Sequence, residues 1–177
     1  EPVPDAQSED PCCESPTYVP WYAGRFKGIK DVSDYWRLNY EGLRKKTMLF
    51  TDTFYDSTLP DEVIEAVAAN LTILKSPTCL RQADGRFWGW EGCCDGSGCC
   101  AGSCTHVWNY AQSIPHLFPF LERTLRETEF MENQNEDGFQ KFRASLPIRP
   151  TDTGRHPAAD GQLGGIIKVY REWRISG

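Results

Sequence analysis

The residues from Gly85 to Gln112 concentrate the reactive side chains of this chain in one glycine-rich stretch, GRFWGWEGCCDGSGCCAGSCTHVWNYAQ. One carboxylate, Glu91, stands between Trp88, Trp90 and Gly92, and five of the eight cysteines follow it: Cys93, Cys94, Cys99, Cys100 and Cys104. Loops of this composition are seldom needed for packing and are common where a scaffold presents a site. Spacing alone leaves Glu91 open to two readings. A loop carboxylate is commonly just exposed. Its aromatic neighbours suggest more, because aromatic faces stack on the C–H faces of sugar rings, and carboxylates beside a glycosidic bond perform its hydrolysis. Such chemistry needs a second carboxylate. Asp95 is near in sequence, but adjacency within one loop does not set the opposed geometry required.

The cysteines run Cys-Cys-x4-Cys-Cys-x3-Cys-x-His, ending on Cys104 and His106. Zinc sites show pairs of ligands separated by a long spacer, which this compact run lacks. Free thiols are the expected state, ahead of local disulfides and of a metal site, so no metal or cofactor is assigned. His106 gains weight as a candidate from its closeness to Glu91 and to a helix start. His156 is weighed beside it. Asn70-Leu71-Thr72 fits a glycosylation signal but falls inside a predicted helix.

Size and charge bound the rest. A chain of 177 residues is one domain in length and can bury a reasonable core. Its net charge of −6 and pI near 5.1 argue against nucleic acid or an anionic membrane as the main partner, and suit a neutral substrate. No apolar run approaches the ~20 residues of a membrane-spanning helix.

The elements that must position these residues are mainly helical. Residues 1–20 are rich in Pro, Asp, Glu and Ser and read as an extended lead-in. Val32, Trp36, Tyr40, Leu43, Thr47, Phe50 and Phe54 recur at intervals of three and four, which predicts a long amphipathic helix capped by Asp31. Pro60, Asp61 and Glu62 open a second helix, with Val63, Val67, Leu71 and Leu74 as its buried stripe and Ser76-Pro77 as its stop. Asp84-Gly85 signals a small hairpin between Cys79 and Trp90. A third helical region is expected from Val107 to Glu132, kinked or split at Pro115 and Pro119. Its apolar positions are Val107, Tyr110, Ile114, Leu117, Leu121 and Leu125. Asn133 to Ala159 reads as a long excursion. A last helix follows Asp160, carrying Leu163, Ile166, Ile167, Tyr170 and Trp173 on one face. The expected class is all-α.

In this order and spacing the chain resembles the catalytic region of glycoside hydrolase family 116, the non-lysosomal glucosylceramidases and bacterial β-glucosidases. The residues that carry the resemblance are Tyr22…Arg25-Phe26, Ser57-Thr58-Leu59-Pro60, Asn70-Leu71…Leu74-Lys75, Gly85-Arg86-Phe87…Glu91-Gly92, Thr105-His106-Val107-Trp108-Asn109-Tyr110-Ala111 and Lys168-Val169-Tyr170-Arg171-Glu172-Trp173. They cover nearly everything from Trp21 onward. The resemblance implies that residues 21–177 are the first part of an incomplete (α/α)6 toroid. A β-rich N-terminal domain and the remaining helices of a parent chain would then be its partners. It implies a retaining mechanism on β-glucosides or related glycosides, through a covalent glucosyl-enzyme, with Glu91 as nucleophile. His106, His156 and Asp160 are the implied substrate-binding residues, beside Trp88 and Trp90, which are chosen because their aromatic faces suit a sugar ring. His106 stands near the place of a family sugar-binding carboxylate, which changes the hydrogen bonding expected at that subsite. His156 and the Asp160 region match a family His-Asp pair loosely. The family's acid/base aspartate belongs beyond Gly177, so the chain is expected to be a fragment carrying half of the catalytic pair, inactive and poorly stable by itself. The rival readings are a metal-binding or interaction module built on the cysteines, and a family member that binds sugar without cleaving it.

Overall fold

A computed structural model describes residues 3–4, 17–76, 78–90, 102–106, 113–149, 151 and 156–177. The fold is mostly helical, with three small two-stranded antiparallel pairs among the described residues. In chain order these are β1 (Val3–Pro4), β2 (Thr17–Tyr18), α1 (Trp21–Arg25), α2 (Ile29–Tyr55), α3 (Asp61–Leu71), β3 (Cys79–Arg81), β4 (Phe87–Gly89), β5 (Ser103–Cys104), α4 (Ser113–Leu117), α5 (Pro119–Glu127), β6 (Arg143–Ala144) and α6 (Ala159–Ser176). Strand β1 pairs with β2, β3 with β4 and β5 with β6. The all-α expectation holds in its coarse form, with strands confined to these short pairs.

The 27-residue α2 begins two residues before Asp31. Gly28 is its N-cap, and Asp31 sits in the first turn, where Oδ2 accepts the Lys27 N–H at 3.0 Å. The carboxylate still meets the positive end of the helix, only from inside it. Its predicted aromatic stripe forms, with Trp36–Tyr40 centroids 5.0 Å apart and Phe50–Phe54 6.1 Å apart. Yet no residue of α2 is buried among the described residues. In α3, Pro60 lies one position outside the helix as its N-cap, ahead of Asp61 and Glu62. The predicted stripe is corrected at its first member. Val63 is 43% exposed and Ile64 is the buried residue, so the inward face runs Ile64, Val67, Leu71, Leu74. A 3-10 turn over Thr72–Lys75 extends it to Ser76.

The hairpin forms where the Asp84-Gly85 signal places it. Gly85 has φ 98°, and Asp84 Oδ1 accepts the Arg86 N–H at 2.9 Å, closing the turn. Leu80 faces Trp88 across the pair and Arg81 faces Phe87. Successive strand residues point to opposite faces, and the core divides accordingly. Phe87 packs with Ile114 and Leu125, flanked by Leu74, Cys79, Phe118 and Leu121. Trp88 packs with Ala144 and Leu146, flanked by Leu80 and Trp90. The hairpin is therefore a wall between helices on one side and β6 with its following loop on the other.

The expected third helix divides as predicted at Pro119, the first residue of α5. Pro115 does not break α4, because it is the third residue of that helix, where no intrahelical N–H bond is lost. Residues 107–112, with Val107 and Tyr110, lie outside the described residues. After α5 the chain widens into a π turn, Thr128–Glu132. In α6 the predicted apolar face exists but is not the packing face: Ile167 is 67% and Trp173 62% exposed. The buried positions are Gly161, Gly165 and Lys168. They lie four and three residues apart, one face of the helix, and the glycines let its backbone approach its neighbours.

Gly102, at φ 97°, lies directly against β6, and a Cβ there would overlap the Ala144 carbonyl oxygen. Gly102→Ala should lose about 2 kcal/mol or more, from the left-handed backbone and the displaced β5–β6 pair together. Chemical denaturation of both proteins measures this, and an unchanged midpoint would disprove the close approach.

Candidate functional site

The hairpin, the β5–β6 pair and the start of α6 meet at one corner. The Gly89 N–H donates to Ser103 Oγ at 3.1 Å, joining β4 to β5. The Trp90 N–H donates to the Thr78 oxygen at 2.7 Å. Phe142 O accepts the Thr105 N–H at 2.8 Å and its hydroxyl at 2.9 Å, while the Phe142 N–H donates to His156 O at 3.3 Å. A Cβ on Gly161 would overlap Thr105 Oγ1 and lie 3.3 Å from the His106 nitrogen. Asp160 is the neighbour of that glycine. Backbone contacts thus set Gly161, next to Asp160, against the Thr105–His106 turn and tie His156 to that turn through Phe142, while the Gly89–Ser103 bond links the strand that precedes Trp90 to β5.

Their exposures differ. Asp160 and His156 are exposed, and the His156 ring lies 5.9 Å from that of Phe142. His106 is half-buried, with Nδ1 3.3 Å from the sulfur of buried Cys104. Trp90 is half-buried, and its indole N–H is shielded from solvent with no hydrogen-bond partner among the described residues. Trp88 requires a correction. It is 0% exposed, its ring packed on Ala144 and Leu146 and its N–H donated to Gln82 Oε1 at 2.7 Å. It is a core residue here, with no face open for a sugar to stack on. Glu91, the residue after Trp90, lies outside the described residues, as do Asp95 and Cys12, Cys13, Cys93, Cys94, Cys99 and Cys100. Among the described residues Cys79 is a free thiol, and no three metal-ligating side chains converge. Burial pushes the Cys79 thiol up to about 11, against a smaller downward pull from its hydrogen bond with Thr78.

Behind the corner is a feature that the sequence reading passed over. Glu122, Arg126, Glu129 and Lys168 are each at most 6% exposed as side chains and form one ionic cluster with Arg171. Arg126 NH1 donates to Glu129 Oε2 at 2.5 Å. Arg126 Nε lies 3.2 Å from Glu122 Oε1 but off the N–H axis, so that contact is an ion pair without a hydrogen bond. Arg171 NH2 donates to Glu122 Oε1 at 3.0 Å. Lys168 Nζ reaches Glu129 Oε1 at 3.5 Å and the Thr105 carbonyl at 3.3 Å, so the cluster grips the turn that carries His106. The signal was present as Glu122, Arg126 and Glu129 at intervals of four and three, with Lys168 and Arg171 three apart. On a helix such spacing ordinarily marks a solvated face.

Compared with protein-family models, curated proteins and solved structures, the chain matches none. No helix among the described residues is long and apolar enough to cross a membrane.

Burial pushes the Lys168 ammonium down from 10.5 to about 8, with Glu129 and Glu122 pulling it up and Arg126 pushing it down. Below pH 8 the lysine is charged in both the folded and unfolded chain, and the burial penalty is present in full. Between its folded and unfolded values the unfolded chain keeps a proton that the folded chain has shed, so stability rises with pH. Cys79 works the other way above pH 9, its raised value costing stability as the unfolded thiol ionises. Lys168→Met isolates the first effect. From about pH 7.5 to 9.5 the melting midpoint of the unsubstituted protein should gain about 4 °C or more relative to the variant. Parallel curves would show that Lys168 is not desolvated.

Proposed function

We propose that this chain is part of a retaining β-glycosidase of the family 116 type, with Glu91 as its nucleophile and β-glucosides as its substrates. The observation that supports this best is the anchoring of the segment that carries Glu91. Its two flanks, Trp90 and Gly102–Ser103, are pinned to the same corner by the Trp90–Thr78 and Gly89–Ser103 hydrogen bonds and by the contact of Gly102 with Ala144. The corner also holds His106, His156 and Asp160. A nucleophile must be held in register with its substrate, because small displacements are costly in rate. Fixed flanks on both sides of the segment, at Trp90 and at Gly102–Ser103, suit that need.

In this reading Glu91 attacks the anomeric carbon and forms a glycosyl-enzyme, which water then hydrolyses. A second carboxylate about 5–5.5 Å away protonates the leaving oxygen and later activates the water. Trp90 offers an apolar edge, and its unpartnered indole N–H is a donor suited to a sugar hydroxyl. His106, His156 and Asp160 supply further hydrogen bonds to hydroxyl groups. The (α/α)6 toroid belongs to the same proposal. The uncovered apolar faces of α2 and α6 suit a helical assembly in which further helices of a parent chain, and a β-rich domain, would cover them.

One contact favours a second reading, a metal-binding module built on the cysteines: the 3.3 Å approach of Cys104 Sγ to His106 Nδ1. Metal analysis of the reduced protein separates the two. Stoichiometric zinc whose removal unfolds the protein favours the module.

In the intact enzyme, Glu91→Gln should lower turnover of an aryl β-glucoside by several orders of magnitude. Azide should restore part of the activity of Glu91→Gly by attacking from the vacated side. Near-normal turnover of the Gln variant would end the assignment.

A further inference from the structure

At the turn end of the hairpin, away from the corner, two arginines converge on one indole. The Arg25 guanidinium carbon lies 4.4 Å from the Trp21 ring centroid and that of Arg81 lies 4.5 Å from it. The arrangement is held by backbone. Pro20 O accepts the N–H groups of Ala23 and Gly24 at 3.0 and 3.2 Å, which starts α1. The Ala83 N–H donates to Val19 O at 2.8 Å, and Pro20 bridges to Gln82, which fastens that start to the hairpin turn. A Cβ on Gly24 would stand 3.0 Å from that of Ala83, so the two segments are in close contact.

The charges of this pair are not answered within the described residues. Arg37, Arg86, Arg123, Arg126 and Arg171 each meet a carboxylate, whereas no ion pair joins Arg25 or Arg81 to one. Arg81 Nε is shielded from solvent and has no hydrogen-bond partner among the described residues. A ring face attracts a guanidinium but cannot accept its in-plane N–H bonds, and each arginine has five such donors. Two like charges on one ring also repel. All this occurs in a chain of net charge −6, where carboxylates are plentiful.

We propose that Trp21, Arg25 and Arg81 form an anion-binding site, distinct from the glycosidase reading, for the carboxylate or phosphate group of a small ligand. The oxyanion accepts from the N–H groups that both guanidinium groups turn to solvent and relieves their mutual repulsion. Arginine suits this role because its planar fork matches both groups. Arg25 is exposed and Arg81 half-buried, so a ligand reaches the site from solvent.

The test is thermal melting of the protein in inorganic phosphate, in acetate and in chloride at matched ionic strength, beside Arg25→Gln, Arg81→Gln and the double variant. Phosphate stabilises proteins generally, so the readout is the excess over chloride in the unsubstituted protein minus that in each variant. With the anion at about ten times its dissociation constant, the excess should be about 3 °C. It should fall in each single variant and vanish in the double variant. An excess in phosphate alone identifies a phosphate site, and an equal or larger one in acetate a carboxylate site. No excess in either anion, or a full excess kept by the double variant, overturns the proposal. If Arg81→Gln does not fold, Arg25→Gln on the exposed side decides the matter, and full retention there overturns it.

Discussion

The ionic cluster between α5 and α6 constrains everything built around it. A charge taken out of water must be paired, and an ion left alone in a buried site costs about 3–5 kcal/mol. Glu122 and Glu129 therefore cannot be buried unless Arg126, Lys168 and Arg171 arrive with them. Two of those cations lie on a helix about 40 residues further on. Their arrival fixes both the rotation and the axial position of α6. Apolar contacts tolerate sliding and repacking, whereas a carboxylate that loses its cation does not. The first turn of α6, with Asp160 and Gly161, is carried to the Thr105–His106 turn by this register. Burial of the cluster is thus better understood as positional specificity than as a source of stability, since a well-packed apolar replacement is often no less stable.

The hairpin is the second constraint, and it acts through period two. Phe87 commits one face of β4 to the helices, and Trp88 commits the other to Ala144 and Leu146. A slip of one residue would exchange the two rings between unlike pockets. With both faces occupied, Trp90 at the open end is the first aromatic residue of the strand with area to spare. Alternation sets Trp90 on the face of Trp88, against the same Ala144–Leu146 cluster, and its place just past the end of β4 leaves it half-buried.

How legible this was depended on whether a local signal or a tertiary decision was in control. Asp84-Gly85, Pro119 and the Ser76 stop act through backbone geometry a few residues wide, and each appears where the sequence places it. The α2 stripe was legible as a pattern, but a pattern does not say that a partner is present. In α6 the apolar residues outnumber the glycines, so their face looked like the inward one. Close backbone approach at Gly161 and Gly165, with the pairing of Lys168, decided otherwise. The buried charges gave no sign of themselves for the same reason, since their spacing is that of a solvated helix face and only the fold tells the two apart. Of the candidate site, the backbones around His106, His156 and Asp160 are linked through Thr105, Phe142 and Gly161. Trp88 was picked for its ring type alone, and the strand alternation that buries it was not applied.

The glycines and the low Lys168 value have one origin. Gly161 and Gly165 bring the α6 backbone against Thr105 and toward Phe130, Gln140 and Glu129. An approach that close leaves no room for water around Lys168, and exclusion of water is what lowers an ammonium pKa. The lysine then depends on the Glu129 carboxylate and the Thr105 carbonyl for the interactions that water would have supplied. A larger residue at Gly161 would move the helix outward, admit water to the lysine and loosen its hold on Thr105 in one motion. Helix packing, the charge state of Lys168 and the placement of His106 are therefore one coupled property of the α5–α6 seam.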